Sequence, residues 1–116
     1  MGIDDIVMAW DAALRNGNWE EARSRLADHA TWTAFGDRVC HDPDQIVDML
    51  RSFKGVNPDV EMLHLEAIDR ERAVAHLRQT WGDKQEWFQV LTVRGERIAH
   101  IEDYPSRDEA VAGFGS

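Results

Sequence analysis

The chain has 116 residues, 43% of them hydrophobic, enough for a single domain (1–116) around one core. A formal net charge of −9 repels phosphate backbones and argues against a nucleic-acid partner. No run approaches the roughly eighteen apolar residues that cross a bilayer; the acidic N-terminus lacks the layout of a signal peptide; and a single cysteine, Cys40, excludes an internal disulfide, so a soluble, cytoplasmic protein is expected.

Ile3, Ile6, Val7, Trp10 and Leu14 recur at helical spacing and predict a first helix with one apolar face. Asn16-Gly17-Asn18 ends it, with Gly17 suited to a left-handed cap. Trp19, Ala22 and Leu26 extend over a short second helix, whose first turn carries Glu20 and Glu21 as the helix dipole prefers. Ala30 to Phe35 is a short β-rich run that Gly36-Asp37 breaks. Asp42-Pro43 reads as the N-cap and first residue of a third helix with Ile46, Val47, Met49, Leu50 and Phe53 on its apolar face.

Four β-period runs follow: Val60 to Ile68, Ala73 to Trp81, Glu86 to Arg94 and Arg97 to Tyr104. Gly95-Glu96, with glycine first, suits a type II′ hairpin. Pro105 stops the last ladder, and Ser106 caps a short closing helix to Phe114. Helices first and antiparallel strands after predict an α+β domain with the helices on one face of the sheet.

The Gly95-Glu96 turn sets Arg94 opposite Arg97, which puts Leu91 opposite His100 and Val90 opposite Ile101. A two-residue turn at Asp83-Lys84 would set Leu77 opposite Val90. On that register Ala75, Leu77, Gln79, Trp81, Phe88, Val90, Thr92, Ala99, Ile101 and Asp103 share the helix-facing side. A one-residue slip at the second turn would move a whole strand to the other face. The opposite side carries Trp87, Leu91, Val93, His76, His100 and Tyr104, too much apolar surface to leave in water. It is expected to form a homodimer, sheet to sheet; the alternative cover is the C-terminal tail.

The ordered set Trp10-Asp11-Ala12-Ala13-Leu14, Gly17-Asn18-Trp19, Leu26 to Trp32, Asp42-Pro43, Arg94 to Ile98 and Asp103-Tyr104 resembles the SnoaL-like and ketosteroid-isomerase-like branch of the nuclear-transport-factor-2-like superfamily. The resemblance spans nearly the whole chain. It implies a cone: a strongly curved antiparallel sheet wrapped around the N-terminal helices, commonly dimeric, with a mouth that holds small apolar molecules. Ketosteroid isomerases of this kind use a tyrosine late in the first helix, an aspartate after the first strand and a second aspartate in the sheet. Here those positions fall on Trp10, Ala34 and, within a residue or two, Val90. Enolisation needs a proton acceptor and an oxyanion donor, and Ala34 and Val90 supply neither, so steroid isomerisation by that machinery is rejected.

Two side chains remain as candidate acid/base groups. Asp103 on the apolar side of the last strand should have a raised pKa, unless it sits wet at the strand end or caps the following helix. His64 would share its face with Leu77 if Arg70-Glu71 is a tight turn; a different turn length would put Leu63 and Leu65 inside instead. The expected ligand-binding wall is Trp10, Leu14, Trp32, Leu77, Gln79, Trp81, Phe88, Val90 and Ile101, with Trp19 in the core. Three indoles could also plug so small a cone. His76 and His100 lie about 10 Å apart, too wide for one metal ion, and no phosphate loop or nucleophile elbow is present, so neither metal nor cofactor is expected. The sequence therefore predicts a binding protein for a small hydrophobic, cyclic ligand or a cofactor-free enzyme (isomerase, cyclase, dehydratase or epoxide hydrolase). The alternative is a non-catalytic homodimerisation or interaction module with a filled interior.

Overall fold

The structure, a computed structural model, describes residues 2–35, 37–56, 60–80, 82–83 and 85–112, with 53–56 as backbone. In chain order it contains α1 (Ile3–Arg15), α2 (Trp19–Ser24), β1 (Leu26–Ala34), β2 (Asp37–Cys40), α3 (Pro43–Val56), β3 (Val60–Ala67), β4 (Arg72–Gln79), β5 (Glu86–Arg94), β6 (Arg97–Tyr104) and α4 (Arg107–Ala112). The strands form one curved, open, six-stranded sheet in the order β2-β1-β6-β5-β4-β3. All neighbours are antiparallel except β1 and β6, which run parallel.

Local chemistry sets the helix ends. Gly17 takes φ +67°, and the amides of Asn18 and Gly17 bond back to the carbonyls of Ala13 and Leu14, closing α1 with a Schellman motif. Asp42 Oδ1 accepts from the Gln45 amide and so caps α3 ahead of Pro43. The Ser106 hydroxyl does the same for α4 through the Glu109 amide. Leu26, expected at the end of α2, instead opens β1 beside Ile98. The segment after Gly36 is strand β2 rather than a break.

α1 buries Ile3, Ile6, Val7, Trp10 and Ala13 against the concave side of the sheet. There they meet Leu26, Ala73, Ala75, Leu77, Leu91, Val93, Ile98 and Ile101. The apolar stripe of α1 therefore organises the whole core. A second, smaller cluster lies on the convex side, where Val74 and Val90 are covered by Ala110 of α4 with Phe88, Tyr104 and Val111 around them. Arg107 clamps α4 to β3 through Glu66, with nitrogen–oxygen distances of 2.7 and 2.9 Å.

Three irregularities re-aim side chains and correct the expected faces. In the β5–β6 hairpin both turn residues have positive φ, Gly95 at +58° and Glu96 at +65°, so the turn is type I′ and not II′. Arg94 does face Arg97 and Val93 faces Ile98, but the register then shifts, so Leu91 faces Ile101 and Gln89 faces Asp103. Ala99 is the extra residue of a bulge. Between β4 and β5, the Gln79 amide bonds the Gln85 carbonyl and Leu77 pairs with Trp87, where a two-residue turn at Asp83-Lys84 would have set Leu77 opposite Val90. Together these place Trp87, Gln89, Leu91 and Val93 on the concave side and Phe88 and Val90 on the convex side, the reverse of the expected arrangement for β5. The third irregularity, a bulge at Leu63 in β3, sets Met62 opposite Leu77 and Leu65 opposite Ala75. His64 then lies opposite His76, exposed on the convex side.

Trp87, Leu91 and Val93 are thus interior residues, and the expected dimer surface loses three of its six members. His76, His100 and Tyr104 do lie on the convex side. His76 stacks on Phe88 with ring centroids 4.4 Å apart and bonds Glu86 at 2.6 Å; His100 Nδ1 lies 2.6 Å from the Thr31 hydroxyl. His76 and His100 do not flank Leu91, which is on the other face. Among the described residues no helix is long and apolar enough to cross a membrane.

Candidate functional site

The concave side closes at one end and opens at the other into a cavity of about 530 Å³. That is within the range of small-molecule sites. α1 contributes Trp10, Asp11, Leu14 and Arg15; α2 contributes Trp19; α3 contributes Met49 and Leu50. The sheet side is built from Trp32 and Ala34 of β1, Val60 and Met62 of β3, Leu77 and Gln79 of β4, Trp87, Gln89 and Leu91 of β5, and Asp103 of β6. Phe35 and Val39 form part of the rim and are exposed apolar residues.

Of the residues expected in the ligand-binding wall, Trp10, Leu14, Trp32, Leu77 and Gln79 do line the cavity. Ile101 is fully buried in the core beneath it. Phe88 and Val90 belong to the convex cluster because of the β5 register. Trp81 lies outside the described residues. Trp19 and Trp87, placed elsewhere from the sequence, are wall residues. His64 is remote from the site for the reason given above.

The chemistry gathers at Asp103. Its side chain is 7% exposed. Oδ2 accepts from the Trp32 indole Nε1 at 2.8 Å, and Oδ1 accepts from the Gln89 amide Nε2 at 2.9 Å. The β1–β6 and β5–β6 registers explain the grouping. Ala34 faces Asp103 across the parallel pair, and Trp32 lies two residues earlier on the same side; Gln89 is the direct cross-strand partner. Burial pushes the Asp103 carboxyl above the ordinary carboxylate range, while hydrogen bonds from Gln89, Trp32 and Trp87 pull the other way without cancelling it. Asp103 neither caps α4 nor sits wet at the strand end.

Among the described residues, every group donating to Asp103 is neutral. An indole N–H can only donate, so the Trp32 contact is made to a carboxylate lone pair. At the mouth, Asp11 Oδ2 accepts from Arg15 Nε at 2.7 Å, one turn apart on α1. The alternation Trp87-Gln89-Leu91-Val93 was the available signal for this wall. It is bulkier than Phe88-Val90-Thr92 and carries one polar residue where Asp103 needs a donor.

Cys40 is buried beside Met49, and burial, then the nearby Asp42 charge, raises its thiol pKa, as suits an inert core thiol.

No protein-family model matches the chain, and no curated protein matches it by sequence. Solved structures do. A protein described as a candidate polyketide cyclase from Sinorhizobium meliloti superposes with a TM-score of 0.74 at 19% identity, over 85% of this chain and 93% of that one. An LEH-like epoxide hydrolase from M. tuberculosis gives 0.72 at 20% identity, over 94% and 86% of the two chains. A candidate ketosteroid isomerase from Kribbella flavida gives 0.71 at 17% identity, over 88% and 76%. The chain shares the curved-sheet α+β fold of these proteins and of an NTF2-like protein from Cytophaga hutchinsonii.

Proposed function

We propose that the protein binds a small hydrophobic, cyclic molecule in the tryptophan-walled cavity and acts on it by cofactor-free acid/base chemistry through Asp103. The observation that carries this reading is a buried carboxylate, raised in pKa, on the wall of an otherwise mainly apolar cavity. A raised pKa makes such a group a stronger proton acceptor than an ordinary carboxylate, and a dry wall strengthens its interaction with a bound substrate. Trp32 and Gln89 fix its orientation, so the base is preorganised before substrate arrives. The reaction classes that fit are isomerisation, cyclisation, dehydration and epoxide opening, each of which needs one proton moved and no redox partner. The structural neighbours described as cyclase, epoxide hydrolase and isomerase carry chemistry of this type on the same fold, although fold alone does not set function.

The test is a tryptophan-fluorescence titration with steroid-like, polyketide-like and terpenoid compounds, followed by turnover assays on any class that binds. A saturable spectral change in one class, with turnover lost in Asp103→Asn at unchanged folding, is the expected result. A flat response from folded protein across the panel would move the reading to the non-catalytic homodimerisation module, whose mark is a constant dimer mass in sedimentation.

A further inference from the structure

Resting on the cavity reading above, we propose that the cavity's ligand carries a positively charged nitrogen, an organic cation seated against Asp103 and the surrounding indoles. The argument begins with charge. Among the described residues, three ionisable side chains line the cavity: Asp11, Arg15 and Asp103. The first two pair with each other at 2.7 Å. That leaves one negative charge, on Asp103, with no cationic side chain of the described residues against it. A buried charge without a counter-charge is costly. A cation carried by the ligand would meet it.

The hydrogen bonds orient the group. Both carboxylate oxygens accept from neutral donors, Trp32 Nε1 and Gln89 Nε2, which hold the carboxylate on the cavity wall and supply it with no counter-charge. The walls supply the second element. Trp10, Trp19, Trp32 and Trp87 all line the cavity. Indole faces attract cations more strongly than any other side-chain ring, and clusters of them hold substituted ammonium groups. The third element is long-range: a chain of net charge −9 favours the approach of a cation and disfavours an anion. A neutral apolar ligand would use the indoles and leave the Asp103 charge unmet. A hydrophobic amine or quaternary ammonium uses both.

The experiment compares two probes of the same shape, phenyltrimethylammonium and tert-butylbenzene, which differ by a charged nitrogen in place of a carbon. Binding of each is read by tryptophan fluorescence on the whole protein and on Asp103→Asn, with melting curves to show that the variant is folded. The expected result is at least tenfold tighter binding of the cation by the wild type, falling to near parity in Asp103→Asn while the neutral probe is unaffected. Equal or tighter binding of tert-butylbenzene by the wild type overturns the proposal and leaves the apolar-cavity reading standing. A cation preference that survives Asp103→Asn also overturns it, because the charge responsible then lies elsewhere. Failure of both probes to bind removes the cavity reading and this proposal together. If the variant does not fold, the wild-type ratio alone decides between the first two outcomes.

Discussion

The two ends of the cone use the same three strands for opposite purposes. At the closed end β1, β5 and β6 contribute Leu26, Val93 and Ile98, all buried and all hydrocarbon, and the Ile98 amide ties the start of β6 to the Arg25 carbonyl at 2.8 Å. At the open end the same strands contribute Trp32, Trp87, Gln89 and Asp103 around free space. The closed end is filled, so its residues gain from burial and dispersion on every side. The open end keeps a carboxylate in place with neutral donors and forgoes part of that packing. Stability and chemistry are thus separated along the strands, and substitutions should tell the ends apart.

The largest expected difference is in stability. Ile98→Ala removes a fully buried side chain from the filled end and should cost about 2–5 kcal/mol. Leu14→Ala, on the half-buried cavity wall, should cost about 1 kcal/mol, since part of its surface already meets open space. Urea unfolding followed by fluorescence measures both. Equal losses would mean that the open end is packed as tightly as the closed one.

Next comes the pH dependence of the carboxylate. A carboxyl whose folded pKa is raised binds its proton more strongly in the folded state. Its favourable contribution is therefore complete below the unfolded value of about 4 and is lost as pH rises through the folded pKa. Wild type should lose stability relative to Asp103→Asn over that interval, and thermal melts from pH 3 upward would show the two curves diverging. The asparagine is accommodated because Gln89 can turn its amide over and present Oε1, while Trp32 keeps its donor on the remaining carbonyl oxygen. Parallel curves would show that Asp103 is not desolvated. Trp32→Phe sharpens the same comparison: loss of the indole donor should raise the Asp103 pKa further.

Local features were the legible ones at both ends. The α1 stripe, the Asp42 cap, the Arg94–Arg97 hairpin and the placement of Leu77 and Asp103 all follow from periodicity and turn chemistry, which are local. The face of β5 was misread from Trp87 at the open end to Val93 at the closed end, because its register depends on features that leave no periodic trace. The bulges at Leu63 and Ala99 each insert one residue, and the β4–β5 pairing is three residues away from the register of a tight turn at Asp83-Lys84. An odd shift on each side of β5 left β4 and the part of β6 after Ala99 on their expected faces and turned β5 over, so Trp87 was read as exterior and Gln89 was overlooked; Ile98, before the bulge, was expected outside and is in the core. For β3 the two alternatives weighed are each half realised. Met62 is inside on one side of the bulge and Leu65 on the other. The parallel β1–β6 pairing joins residues some seventy positions apart, as in Thr31 to His100, beyond the reach of hairpin logic.

A smaller effect is expected at the rim. Phe35 stands at φ +50°, a left-handed conformation unfavourable for a bulky residue, with its side chain 56% exposed beside the cavity. Phe35→Gly relieves that backbone strain and loses little buried surface, so unfolding free energy should stay within about 1 kcal/mol of wild type. Binding of an apolar probe should weaken. A large loss of stability would show that Phe35 is a core residue, which would erase the contrast between rim and closed end.

The smallest effect lies on the convex side, one residue from Asp103, and it compares the two faces of β6 directly. Tyr104 donates its hydroxyl to Glu102 at 2.7 Å, and burial, then that hydrogen bond and the Glu102 charge, push its pKa up to about 12. As the only tyrosine in the chain, it can be followed alone by ultraviolet absorbance. Glu102→Gln should lower the midpoint but leave it above the ordinary value of about 10, since burial, the larger cause, persists. Folding stability from this group is intact below about pH 10 and declines as pH rises through the folded value, so nothing changes near neutrality. Asp103 and Tyr104 are both raised by burial, but Asp103 is held by neutral donors beside the cavity, whereas Tyr104 is held by a carboxylate against packed side chains. A midpoint at the ordinary value in the wild type would place Tyr104 in water and leave α4 without its tyrosine contact on the sheet.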